Sequence, residues 1–192
     1  MTDLHRLADP ASEPGGDSDL ADVLAAQADR AAFAVLYRRY LDRVYGYAFF
    51  LLGDHHDAED ATERTFLAAL HALPTFRDEG ATFRAWLFRI AHNTIANARR
   101  SRFRRRTEPL PDELERAAPN ADPAGLVLEA EESRRVLRAV AELPDDRRQV
   151  VLLRFVDGLS SREIGQVMDR SEGAARVLLH RALRDLALRL SP

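Results

Sequence analysis

Residues 159–190, LSSREIGQVMDRSEGAARVLLHRALRDLALRL, constrain the fold more than any other stretch, because two helix starts follow each other closely. Ser160 is placed to cap a first helix, and Glu163, three residues on, completes a capping box. Ile164, Val167 and Met168 give that helix a short apolar face. Asp169 and Arg170 break it, and Ser171 is placed to cap a second helix. There Ala175, Leu179, Ala182, Leu186 and Leu190 recur at steps of three and four, which makes one buried stripe. The opposite side carries Arg176, His180, Arg181 and Arg184. A short helix, a tight turn and a longer helix with a basic outer face form the helix-turn-helix that enters the DNA major groove. Any αα-hairpin in a helical bundle shares the caps and stripes, so the rest of the chain must decide.

The preceding segments are also helical, and no stretch alternates as a strand would. Asp19 is placed to cap a short helix through about Gln27. Asp29 caps a longer one, in which Phe33, Leu36, Tyr37, Tyr40, Leu41, Val44, Tyr45 and Ala48 form a wide stripe ending at Gly53. A third helix runs from about Asp57 to Ala72 with Ala58, Ala61, Thr62, Thr65, Phe66, Ala69 and Leu70 inward. Its first turns carry Asp57, Glu59, Asp60 and Glu63, which suits the positive end of a helix dipole. After a polar loop at 75–81, Thr82 caps a fourth helix with Phe83, Trp86, Leu87, Ile90, Thr94 and Ala98 inward. Ser133 opens a helix to Ala141, with Val136, Leu137 and Val140 inward. Asp145 caps the next, whose Val150, Val151, Leu153 and Phe155 pack onto the helix pair described first, and Gly158 ends it.

Charge divides this chain of helices. The formal net charge of −3 argues against a wholesale nucleic-acid coat, but residues 99–106 hold six arginines and no acid. Residues 107–133 hold eight acids against Arg116 alone, and four prolines within 107–132 mark a flexible acidic linker. Residues 1–18, rich in Asp, Pro, Gly and Ser, read as a disordered tail. The expected fold class is therefore all-α: small helical domains at 19–106 and 133–192, joined by the linker, the second a helix-turn-helix. Arg89, Asn93, Asn97 and Arg100 share one side of the fourth helix, and the arginine run continues it. Amides and guanidinium groups aligned in this way suit base edges and phosphates.

Other classes find little support. No run of 18 apolar residues offers a membrane span, and the acidic N-terminus lacks a signal-peptide pattern. The absence of cysteine removes disulfides and thiolate metal sites and fits a cytoplasmic protein. Around His55-His56-Asp57 no further ligands cluster into a set that would hold a metal, so no metal site is expected. The acids and histidines lack convergent catalytic spacing and no glycine loop cradles phosphate; neither catalytic residues, a cofactor nor enzymatic activity is expected.

Three blocks carry a resemblance: DAEDATERTFLAAL at 57–70, FRAWLFRIAHNTIANARR at 83–100, and LPDDRRQVVLLRFVDGLSSREIG at 143–165 followed by SEGAARVLLHRAL. In this order they resemble bacterial RNA polymerase sigma factors of the extracytoplasmic-function (ECF) type. The resemblance implies region 2 at 19–106 and region 4 at 133–192. It also implies a factor that binds core RNA polymerase, through the β′ clamp and the β flap. Such a factor directs transcription initiation at promoters by reading −35 duplex and by melting and reading −10 DNA.

The implied roles fall on particular residues. Asp57, Glu59, Asp60 and Glu63 match the clamp-binding helix, with Glu63-Arg64 standing where the family often has Gln-Glu. Thr75, Phe76 and Arg77 match the loop that receives a base flipped from the −10 element. Asn93 and Asn97 match positions that read or brace the unpaired strand, and Arg99 and Arg100 would hold phosphates. Ser171, Arg176, His180 and Arg181 match the −35 reader. Where the family commonly has Gly-Thr-Val-Lys-Ser-Arg-Leu, this chain has Gly173-Ala174-Ala175-Arg176-Val177-Leu178-Leu179. Either Val177 or Leu178 packs on a thymine methyl, or the −35 preference is weaker. By the same resemblance the acidic linker threads the RNA-exit path, and an anti-sigma factor is a further partner. The rival reading, a polymerase-independent helix-turn-helix regulator of operators, explains the C-terminal motif but not the N-terminal module.

Overall fold

Cap residues set several helix ends in the computed structural model, which describes residues 16–78, 81–106 and 127–191, with side chains over 19–78, 81–102 and 134–191. Among the described residues there are eight α-helices and no strand: α1 Gly16–Ala28, α2 Phe33–Leu52, α3 His55–Ala72, α4 Phe83–Arg106, α5 Val127–Ala141, α6 Asp145–Phe155, α7 Ser161–Met168 and α8 Glu172–Leu190. The tail expected over 1–18 is corrected at its end, where residues 16–18 are already helical; residues 1–15 lie outside the described residues. Helix α5 likewise starts six residues before Ser133, inside the expected linker, whose remainder at 107–126 lies outside the described residues.

Asp19 is not a cap. It lies within α1, buried, and accepts hydrogen bonds from Arg39 Nη1 at 2.6 Å and the Tyr40 hydroxyl at 2.5 Å, so it ties α1 to α2. The Asp29 side chain does cap, accepting from Ala31 N at 2.9 Å and starting a 3-10 turn that runs into α2. Gly53, at φ 69°, ends α2 in the left-handed conformation that glycine tolerates. Asp54 then caps α3 through Asp57 N at 2.9 Å, so α3 begins earlier than Asp57. Asp145 is the first residue of α6 and Pro144 stands at its cap position.

Burial follows the expected stripes with some exchanges. In α2, Tyr47 is fully buried where Tyr45 was expected and Tyr37 is exposed, because α4 also packs on this helix. Val136 and Leu137 of α5 are exposed, and Ala139, Val140 and Leu143 fill the core instead: α5 packs mainly on α6 and α8, which cover the other side of the helix. Phe155 is exposed because the chain turns after it, and Leu159, its N–H bonded to Leu153 O at 2.9 Å, takes the buried place.

The helix-turn-helix forms as its caps require. Ser160 Oγ accepts from Glu163 N at 3.2 Å, and Glu163 Oε2 accepts from Ser160 N at 2.8 Å. Asp169 adopts φ 55°, Arg170 N donates to Gly165 O at 2.8 Å, and Ser171 Oγ accepts from Ala174 N at 3.2 Å to start α8. Gly165 matters because the turn folds back on it: a Cβ there would stand 2.7 Å from Arg170 O, a backbone atom that cannot swing aside. The two halves also touch, α4 against α7 and α2 against α6, and one hydrophobic core runs through both.

Gly165→Ala is expected to cost about 1–3 kcal/mol by overpacking. Gly173→Ala, at a helical position facing open space, is expected to be neutral or to stabilise by up to about 1 kcal/mol. Urea unfolding of both variants beside the parent reads the difference.

Candidate nucleic-acid interface

Arg89, Asn93, Asn97 and Arg100 recur at steps of four and three along α4, and all four are exposed. Arg100 Nη2 donates to Asn97 Oδ1 at 2.6 Å, so guanidinium and amide already form a joined donor surface. Arg99 points elsewhere: its Nη2 lies 2.7 Å from Asp145 Oδ2, and that bond holds the Asp145 carboxyl below its usual range. The side chains of the arginine run beyond Arg102 lie outside the described residues.

The loop before α4 is pinned from beneath. Gln27 Nε2 donates to Leu73 O at 2.9 Å and to Phe76 O at 3.0 Å, and Thr75 Oγ1 donates to Ala72 O at 2.9 Å. Thr75 and Arg77 are exposed, with Arg77 Nη1 donating to Phe76 O at 2.9 Å. Phe76 requires a correction. At 6% exposure it packs edge-on against Phe83, centroids 5.9 Å apart, and against Trp86 at 4.9 Å, so it anchors the loop and offers DNA no face. Glu79 and Gly80 lie outside the described residues.

On α8, Arg176, Val177, His180, Arg181 and Arg184 are exposed together. Arg176 Nη2 pairs with Glu172 Oε1 at 2.6 Å, an exposed i,i+4 pair that adds little stability and yields readily to a competing acceptor. Leu178 is 9% exposed and belongs to the core, whereas Val177 is 52% exposed. Of the two apolar residues proposed to meet a thymine methyl, only Val177 is available.

The acids of α3 divide into two pairs. Asp57 is engaged by Arg102 Nη1 at 3.1 Å, and Asp60 by Arg64 Nη2 at 2.9 Å, which gives Arg64 a partner within its own helix. Glu59 and Glu63 stand exposed one turn apart, beside the exposed Leu67. His55, set aside as a metal ligand, stacks on Phe49 at 4.3 Å and shares a 2.6 Å hydrogen bond between its Nδ1 and the Tyr45 hydroxyl. Among the described residues no cluster of three acids or histidines could hold a metal, and no helix is long and apolar enough to cross a membrane.

Sequence reasoning missed the polar seam between the halves. Glu163, beyond its capping role, accepts from Thr82 Oγ1 at 2.6 Å and from Arg84 Nη2 at 3.3 Å. Burial pushes its carboxyl up, but the hydrogen bonds from Thr82 and Ser160 and the charge of Arg84 outweigh this and leave it below its ordinary value. Asp157, 0% exposed, receives no hydrogen bond on either carboxylate oxygen; Arg43 Nε is 3.6 Å away, while Arg43 Nη2 donates to its carbonyl at 2.5 Å. Burial pushes the Asp157 carboxyl up to about 7 against the opposing charges of Arg43 and Arg84. The available signal was the width of the apolar band on α4: Ala85, Phe88, Ala91 and Ile95 are buried beside Phe83 and Leu87, more than one neighbouring helix can cover.

Among the described residues the secondary structure is helical, with one amide-and-guanidinium face on α4 and a second basic face on the helix-turn-helix, an arrangement that suits nucleic acid. Comparison with known families gives the class its name: Sigma-70 region 2 matches residues 36–105, and Sigma-70 region 4 matches residues 133–186. The ECF RNA polymerase sigma factor BldN of Streptomyces coelicolor is 39% identical over 184 residues, covering 93% of this chain and 69% of that one. The ECF RNA polymerase sigma factor SigE of Mycolicibacterium smegmatis is 32% identical over 179 residues, covering 93% and 68%. Among solved structures, CnrH in complex with the cytosolic domain of CnrY superposes at a TM-score of 0.64 and 27% identity, over 88% of this chain and 95% of that one. The chain belongs to the ECF RNA polymerase sigma factors, and its function is promoter-directed transcription initiation with RNA polymerase.

The depressed Glu163 carboxyl contributes stability that is complete above the ordinary glutamate range and is lost as pH falls through its folded value. Glu163→Gln is therefore expected to cost about 1–3 kcal/mol at pH 7, a charge-assisted contribution. That deficit should shrink as unfolding is measured at pH values decreasing through and below the ordinary glutamate range.

Proposed function

We propose that α4 and its preceding loop read the −10 element while α8 reads the −35 duplex, the domains expected at 19–106 and 133–192 extending back to the starts of α1 and α5. The observation that carries this reading is the pair of separate exposed faces: Arg89, Asn93, Asn97 and Arg100 on one helix, Arg176, His180 and Arg181 on another. On the first, Asn93 and Asn97 offer amides to unpaired bases and Arg100 offers charge to phosphates, joined by Arg99 from beside this face when it exchanges Asp145 for a phosphate. Thr75 and Arg77 line the loop beside a flipped base, with Phe76 as its anchor. Extracting that base costs a few kcal/mol, about what a polar pocket can offset.

On the second face, Arg176 and Arg181 suit guanine edges or phosphates, Val177 suits a thymine methyl, and the N–H groups at the Ser171 helix start suit a backbone phosphate. Glu59 and Glu63 are free to meet the β′ clamp directly; Asp57 and Asp60 support them through their arginine partners. Region 4 meets the β flap. A cytoplasmic setting follows from these partners, and the acidic linker fits a basic path such as the RNA exit. CnrH is captured with the cytosolic domain of CnrY, and RpoE of Bartonella quintana with the anti-sigma factor NepR, which supports an anti-sigma partner for this chain as well.

Mixing the protein with core RNA polymerase, followed by size exclusion and run-off transcription on promoter fragments, tests the whole reading; binding to duplex DNA without polymerase association would replace it with an operator-binding regulator. The double variant Arg176→Ala, Arg181→Ala is expected to weaken −35 binding by roughly tenfold or more, at 1–3 kcal/mol per good base contact, while core association persists. Asn93→Ala is expected to reduce permanganate reactivity of the melted −10 strand more than closed-complex formation measured by gel shift.

A further inference from the structure

The first turn of α8 carries an ion pair that the fold hardly uses. Glu172 opens the helix, Arg176 follows one turn later, and their side chains are 48% and 70% exposed. At that exposure the 2.6 Å contact adds little stability. It does fix a direction, drawing the Glu172 carboxylate along the same flank of the helix as Arg176. Gly173 lies inside the exposed arc that Glu172, Arg176, Val177, His180 and Arg181 define, since successive helical residues turn by about 100°. A Cβ added there would meet nothing within 4 Å. Glycine weakens a helix relative to alanine, and no neighbour among the described residues needs the room. Glycine is also the residue that lets a backbone come close to a ligand.

The second helix of a helix-turn-helix presents its N-terminal residues to base edges in the major groove, where the chemistry is selective. The arginine fork matches O6 and N7 of guanine. A carboxylate only accepts hydrogen bonds, so guanine and thymine show it nothing but acceptors. Adenine offers its N6 donor beside the N7 acceptor, and cytosine alone offers a donor with no acceptor on its own edge. The two charged groups meet at 2.6 Å in the free protein, and base pairs stack about 3.4 Å apart, so together they span one base step. An Arg176 that turns to a guanine leaves the Glu172 carboxylate unpaired in a groove walled by phosphates. That loss is made good only where a base donor stands within its reach.

We propose that Glu172 is a specificity-determining residue of the −35 contact, accepting from the 4-amino group of a cytosine one base pair away from the guanine that Arg176 takes. The two side chains then select guanine and cytosine at adjacent positions. This assignment rests on the reading of α8 proposed above and adds an acid to its basic face. A glutamate reaches less far than an arginine, so the contact needs the close approach that Gly173 permits. Thymine in place of the cytosine sets O4 against the carboxylate, and adenine sets N7 against it. Each is disfavoured by about tenfold, the scale of one good base contact.

The test is selection from duplexes randomised over the −35 element and carrying a fixed −10 element, using holoenzyme assembled from core polymerase and the full chain. The parent is expected to enrich guanine and cytosine at adjacent positions. Glu172→Gln puts an amide where the carboxylate stood, and an amide pairs with N6 and N7 of adenine. Preference at the cytosine position should therefore move to adenine, while the neighbouring guanine is retained. Glu172→Ala should lose base preference at that one position. Gly173→Ala should bind the selected duplex severalfold more weakly, with a fold no less stable by urea unfolding. Cytosine still selected by both Glu172 variants, or a loss spread evenly over all sequences, overturns the assignment and leaves α8 as the −35 reader. Full binding by Gly173→Ala overturns the close approach on which the contact depends. A parent that selects no −35 sequence at all overturns the reading of α8 together with it.

Discussion

The Glu163 carboxylate serves two helix starts at once. Its Oε2 closes the capping box of α7, while its Oε1 accepts the hydroxyl of Thr82, which itself caps α4 by accepting from Ala85 N at 3.2 Å. Helix N-termini carry unsatisfied N–H groups and partial positive charge, so two of them repel unless an anion lies between. At 8% exposure Glu163 is such an anion, and Arg84 balances the remainder of its charge. Glu163 thus helps to orient the helix-turn-helix against the N-terminal half, beside the shared core and the Arg43–Asp157 and Arg99–Asp145 contacts.

Around that contact, the N-terminal half is held by ordinary packing. Asp19 fastens α1 to α2, aromatic pairs such as Tyr47 with Phe88 and Tyr40 with Phe83 fasten α2 to α4, and the Phe76, Phe83 and Trp86 cluster fixes the loop that enters α4. Burial and nearby acid keep the Tyr40 and Tyr47 hydroxyls protonated well beyond the usual tyrosine range, so both act as neutral core groups. The exposed amide-and-guanidinium face of α4 is rigid because the opposite side of the same helix is clamped. Rigid support of this kind lets exposed amides and guanidinium groups hold a fixed spacing.

What the sequence disclosed follows from the range of each interaction. Caps and stripes act within a few residues, so Ser160, Ser171, Asp29 and Gly53 could be read directly, as could the exposed lines on α4 and α8. Asp19 misled because an acid near a helix start is also what an ion pair needs, and its partners Arg39 and Tyr40 lie about twenty residues on. Phe76 misled because a loop aromatic looks the same whether it points to DNA or to the core. The seam of Arg43, Arg84, Asp157 and Glu163 joins residues roughly 80 to 115 apart, and no local pattern records it. Leu178 and Val177 are adjacent, and only the wrap of α8 on its neighbours separates the buried one from the exposed one.

Two arginines assigned to DNA already carry a counter-charge in the free chain: Arg176 holds Glu172, and Arg99 holds Asp145. Binding at these positions exchanges one ion pair for another instead of adding a bare cation to a polyanion. Fewer counterions leave the DNA, and the attraction to random sequence weakens accordingly. An arginine so occupied moves only for an acceptor that fits it better than its own carboxylate does, such as the two-pronged edge of a guanine or a well-placed phosphate. On the contacts proposed above, self-neutralisation would act as a filter against the excess of wrong sites in a genome.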